Sequence, residues 1–230
     1  MNYLSHYVFN HQVCGLPREP GFVAGVALPD LWLRFSRRRR IRWRCVRSAE
    51  PRDARESALR EGLLNHAEAD RAFHALPLFL TWHRAVRDAA GPCDVHPAMV
   101  DFLSHVAVEL ALDHHLLSRE PTLVDEFYDA VAGCDADWVE VATGRMVGVD
   151  TSGLGEVVRA FVRRRFIRVY ATHRGLSEVV HVILELARFP HPPTRVVGRL
   201  ISEALVRVSP AAVWAALREG GAVPVAAAGA

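Results

Sequence analysis

The chain contains no lysine; all 28 of its basic residues are arginine, a bias that a GC-rich coding sequence explains, together with the abundance of alanine and valine. Cysteine is scarce. Cys14, Cys45, Cys93 and Cys134 are scattered, with no C-x-x-C pair, which argues against a disulfide framework and a cysteine-built zinc site and fits a reducing, cytoplasmic setting. The opening MNYLSHYVFNHQ lacks the basic segment and apolar run of a signal peptide. No apolar run of about 18 residues is free of polar interruption, so no membrane span is expected. Period-2 alternation and internal repeats are also missing, which removes the usual signals for strands and solenoids.

What remains is helical pattern. With 230 residues, half of them hydrophobic, the chain can bury a sizeable core, and a net charge of +2 does not by itself call for nucleic acid or a membrane. Periodicity predicts helices over 2–12, 22–35, 55–75, 97–118, 136–146, 154–188 and 193–207, and another from Pro77 to about 89. Pro29 is expected to bend the second segment or restart it. The expected architecture is all-α, a single multi-helix bundle. Residues 1–210 are read as one domain and 211–230 as a terminal helix with a flexible tail.

Two polar lines stand out on these helices. His66, Asp70 and His74 follow one another at four-residue steps, as do His105, Glu109 and Asp113, each set within apolar sequence. Residues at i and i+4 lie about 5–6 Å apart on one helix face. Two such lines facing each other in a bundle would hold a divalent metal. A solvent face is one alternative for the first line, although the neighbouring Glu68 and Arg71 point to a different exposed face; a buried hydrogen-bond network is the other. His114 points about 100° away from Asp113, which favours a supporting or substrate-facing role.

The arrangement resembles the acyl carrier protein phosphodiesterase family, helical relatives of the HD-domain phosphohydrolases. The likeness rests on Met1-Asn2-Tyr3-Leu4-Ser5-His6, on Gly25 to Asp30 (GVALPD), on His66 with Asp70, and on Glu109 with Asp113-His114-His115-Leu116. Further matches are Arg168-Val169-Tyr170, Gly175-Leu176, Val179 onwards and Arg188, so the motifs run in order over roughly residues 1–190. His74 departs from the family pattern, which has an acid there.

The resemblance implies an HD-like fold and a metal-dependent hydrolysis that removes 4′-phosphopantetheine from holo acyl carrier protein. It places His6, Asp30, His66, Asp70 and Asp113 around the cation, with His74 and His105 as additional nitrogen donors; His105 is counted among the metal ligands. This donor set favours manganese, with zinc or iron next and magnesium, which prefers oxygen and water, last. Glu109, His74 or His114 would relay the proton to the leaving alkoxide. The segment Arg37–Arg40 with Arg42, Arg44 and Arg47 would dock the acidic carrier protein. A solvated loop is the plain alternative for that segment, and nucleic-acid binding ranks below both. A different HD-like phosphohydrolase acting on a nucleotide or other small phosphodiester, or a non-catalytic metal-binding helical protein, are the competing readings of the whole chain.

Overall fold

The computed structural model describes residues 1–219. Among these, regular structure consists of helices alone, with no strand, as the missing period-2 alternation predicts. In chain order the α-helices are α1 (Tyr3–Val8), α2 (Pro20–Phe35), α3 (Trp43–Ser48), α4 (Ala54–Ala75), α5 (Pro77–Ala89) and α6 (Pro97–Arg119). They continue with α7 (Leu123–Ala132), α8 (Ala136–Val147), α9 (Leu154–Arg164), α10 (His173–Ala187), α11 (Thr194–Arg207) and α12 (Pro210–Glu219). A π-helical turn, Phe9–Val13, extends α1, and a 3-10 turn, Phe166–Ala171, precedes α10. The tail expected after α12 lies outside the described residues. No single described helix is long and apolar enough to cross a membrane, and none of the four cysteines is in a disulfide.

Two expectations are corrected. Pro29 neither ends nor restarts α2, which runs through it to Phe35. Proline removes one amide donor from a helix interior, but the first turns of α2 are secured elsewhere. Pro20 sits in the first turn, and the Glu19 carboxylate accepts the Phe22 N–H. The stretch 154–188 is not one helix. Arg165 turns into the left-handed region at φ 43°, and its guanidinium bonds Asp125 and Asp129 across 36 to 40 residues of sequence. Thr172 then caps α10 by accepting the Gly175 N–H. The continuous periodicity hid this break because each half keeps its own apolar stripe.

The chain forms two compact units. One comprises, among the described residues, Met1–Ser5, Asp70–Leu123 and Ile167 to Glu219. Its central element is α6, against which α5, α10, α11 and α12 pack. Leu103, Ala107, Val108, Leu110, Ala111 and Leu112 are all buried, so α6 is apolar around most of its circumference, as a surrounded helix must be. Pro97 starts α6, where a missing N–H costs nothing, and the His96 imidazole accepts the Ala98 N–H.

The other unit comprises His6–Ala69 and Val124–Phe166, in which α8 packs on α3 and α9, and α9 on α2. Within it α2 and α4 cross backbone to backbone at Gly25 and Gly62. A Cβ on Gly25 would fall inside the van der Waals radius of the Leu59 carbonyl oxygen, and one on Gly62 would do the same to the Phe22 carbonyl oxygen. The crossing brings the turn of α2 that carries Val26 beside the turn of α4 that carries His66. Gly25→Ala or Gly62→Ala should therefore cost about 3 kcal/mol, at the upper end of overpacking penalties, because backbone and not a flexible side chain must move. Urea denaturation of the two variants measures this; a shift under half that size would mean the helices separate freely.

Candidate metal centre

The buried end of the second polar line anchors the start of the chain. Asp113 is fully buried on α6, and its two carboxylate oxygens accept the Leu4 and Ser5 N–H groups at 3.0 and 2.8 Å. These are first-turn amides of α1, donors that a helix leaves without an internal partner. Burial pushes the Asp113 carboxyl up to about 6, against the pull of these two amides, which favour the charged form.

This anchoring sets the Met1 ammonium between Asp70 Oδ1 at 2.7 Å and Glu109 Oε1 at 2.9 Å. Burial opposes a charge there, but the two carboxylates prevail and carry the ammonium's pKa up to about 11. Spacing arguments did not find this cation, because a terminal amine leaves no mark in a periodic pattern.

In the other unit His6 and His66 are both buried, with rings stacked at 4.2 Å between centroids. His66 Nδ1 lies 2.9 Å from the Val26 carbonyl oxygen. A carbonyl only accepts, so Nδ1 carries the hydrogen and Nε2 is the lone-pair nitrogen of the neutral ring. That nitrogen lies 3.9 Å from Asp30 Oδ1. An imidazole fixed by a backbone carbonyl and presenting its other nitrogen toward a carboxylate has the supporting arrangement usual for metal-ligating histidine. Two bonds of about 2.0–2.2 Å through a shared cation span roughly 4 Å at a wide angle. Asp70 follows His66 by one turn on α4. The solvent-face alternative does not describe this helix, since His66 is buried while Glu68 and Arg71 are exposed.

A second convergence lies wholly within the unit built on α6. His74, from the last turn of α4, places Nε2 2.9 Å from Glu109 Oε1, and His105, one turn before Glu109 on α6, places its Nε2 3.2 Å from the same oxygen. One ligand atom from each of the three lies within 4.8 Å of the other two. Burial tends to lower the His105 pKa, but the hydrogen bond and charge of Glu109 outweigh it and the net direction is up. Burial likewise tends to raise the Glu109 carboxyl. The Met1 ammonium and the two imidazoles overcome that and hold it well below its ordinary range.

The remaining sequence-derived residues fall elsewhere. His114 Nδ1 bonds the Tyr170 carbonyl at 2.7 Å, with Ser118 Oγ 3.4 Å from its Nε2, and it joins neither histidine group. His115 Nε2 reaches the Leu205 carbonyl at 2.9 Å. The arginine segment is ordered: Trp32 Nε1 donates to the Arg39 carbonyl, Arg39 pairs with Asp150 at 2.7 Å, and Val46 is fully buried. Arg60 donates to the Val46 and Arg47 carbonyls from α4. Arg37, Arg38, Arg40, Arg42, Arg44 and Arg47 remain exposed.

No protein-family profile, curated protein or solved structure matches the chain. The residues therefore carry the functional reading by themselves.

Because the folded-state pKa of Glu109 lies below its ordinary 4.5, the stability it contributes is complete above that pH and is lost as pH falls further. Glu109→Gln should cost about 3 kcal/mol at neutral pH, the low end of the scale for breaking a buried ion pair, because Asp70 still holds the Met1 ammonium. The deficit should shrink from about pH 5 to about pH 3, as the carboxyl of the unfolded wild-type chain takes up a proton that the folded one does not. Urea midpoints of both proteins across that range test this; a deficit constant with pH would remove the charge argument.

Proposed function

We propose that the chain is a metal-dependent phosphodiester hydrolase acting on the phosphopantetheine linkage of an acidic carrier protein. The observation that carries the reading is His66, fixed through Nδ1 by the Val26 carbonyl, stacked on His6 and facing Asp30 through Nε2. His6, Asp30 and His66 would hold the cation. Two imidazoles and a carboxylate make a mixed nitrogen and oxygen set that suits manganese, iron or zinc better than magnesium. A cation bound there supplies polarisation of the phosphoryl oxygens and a lowered pKa for a coordinated water.

The protein's own part is orientation. The His6 stack and the Val26 carbonyl hold the His66 ring against rotation, so its lone pair points one way before any ion arrives. Pre-placed donors cost no rearrangement on binding, which is the advantage of building a centre from packed helices.

The substrate class comes from the motif resemblance and from the arginine segment. Six exposed guanidinium groups on an ordered turn and short helix present a dense positive surface, with no lysine to share the work. Arginine forks pair two-pronged with carboxylates and phosphates, and a charged patch of this kind raises encounter rates with an acidic partner.

Two measurements test the reading. Holo carrier protein incubated with the chain and manganese should lose the mass of its phosphopantetheine group, and His66→Ala should abolish that loss. Intact holo protein together with cleavage of a generic phosphodiester would move the reading to a small-substrate phosphohydrolase. No cleavage of either, with no metal retained, would end it. Separately, a triple Arg37→Ser, Arg38→Ser, Arg40→Ser variant should raise KM for carrier protein by at least about tenfold with kcat unchanged, the pattern for lost ground-state docking. An unchanged KM would assign the segment no role in docking.

A further inference from the structure

We propose that His74, His105 and Glu109 form a second divalent-cation site, suited to zinc, which shares no residue with the His6–Asp30–His66 group and stands whether or not that group binds metal. Three observations carry it. The first is convergence. Both imidazoles aim Nε2 at one oxygen, Glu109 Oε1, at 2.9 and 3.2 Å. Ligand atoms around a cation with bonds of about 2.0–2.2 Å sit roughly 3.0–3.5 Å apart, the edge of a regular coordination shell. The hydrogen-bonded spacing is thus close to the spacing a metal requires, and small ring rotations would admit one.

The second is support. Phe79 packs its ring 4.9 Å from that of His74 and 5.1 Å from that of His105, and Phe73 lies 5.4 Å from His74. Aromatic walls on both imidazoles restrict their rotation, and Glu109 is held one helical turn from His105. The third is charge. Glu109 Oε1 already receives one cation, the Met1 ammonium at 2.9 Å, so the position accepts positive charge. An entering dication competes with that ammonium for the same oxygen.

The chemistry of the set selects the ion. Two imidazole nitrogens and one carboxylate oxygen, with room for water, match the three-ligand pattern of open zinc sites, and imidazole disfavours magnesium and calcium. The side chains of His74 and His105 remain 30% and 36% exposed, which leaves a solvent path for the ion and for water on it. His105 and Glu109 occupy one face of α6, so the site needs only one residue from another helix.

Cobalt(II) reports on such a site by its visible absorption, and zinc displaces it. Metal-stripped full-length wild type, His74→Ala, His105→Ala and His66→Ala should be titrated with each metal, with bound equivalents counted after dialysis. The expected result is that His74→Ala and His105→Ala each lose one equivalent and the associated absorption, with affinity down at least about 100-fold. That is the upper end of what loss of a mere supporting partner costs. His66→Ala should keep this equivalent. His74→Gln and His105→Gln, which preserve bulk, repeat the measurement, and metal-free urea midpoints near wild type show that each variant folds. Wild-type stoichiometry and affinity in both alanine variants would overturn the proposal, as would a wild type that binds neither metal at micromolar concentration. Loss of metal only in His66→Ala would overturn this site while leaving the hydrolase reading intact.

Discussion

The constraint on which the arrangement depends is the burial of Asp113. A carboxylate with no access to water must be fully bonded or it destabilises the fold by several kcal/mol. Here its two oxygens take the two first-turn amides of α1, Leu4 and Ser5, which lack partners of their own. One contact thereby satisfies three groups. It also fixes the start of the chain on α6, so that the Met1 ammonium reaches Asp70 and Glu109. Glu109 in turn collects His74 and His105. The order of cause runs from one buried acid to a helix terminus, then to a cation, then to two imidazoles.

The second set of buried ionisable groups depends on a different contact. Gly25 and Gly62 let α2 and α4 meet at their backbones, and the same crossing supplies the Val26 carbonyl to His66. Glycine is required there for space, and the space decides the tautomer of a histidine. In both units, then, polar chemistry in an apolar setting is made affordable by backbone groups, which are rigid and precisely placed by helix geometry.

Much of this was legible in the residues. Periodicity located nearly every helix, because an apolar stripe at helical spacing has one stable use in a folded chain. It failed where the stripe outlasted the helix, at Arg165, whose pairing with Asp125 and Asp129 closes one helix through side chains far away in sequence. It also misjudged Pro29, since local propensity knows nothing of how the neighbouring turns are held. The polar lines were visible as spacing, but their depth was not: His66 and Asp113 are buried, whereas Asp70, His74, His105 and Glu109 are only partly so.

The sequence by itself determined the helical class, the two polar lines and the density of arginine, since each is a property of local order along the chain. Only the tertiary structure decided the partners. Spacing aligns His66, Asp70 and His74 on one face but does not say which backbone carbonyl, ring or amine stands opposite. Within one unit that depends on where α2 meets α4 at Gly25 and Gly62, and within the other on how Asp113 of α6 holds the Leu4 and Ser5 amides. A one-dimensional pattern carries the period of a helix; the angle and depth at which two helices meet arise from packing, which is non-local.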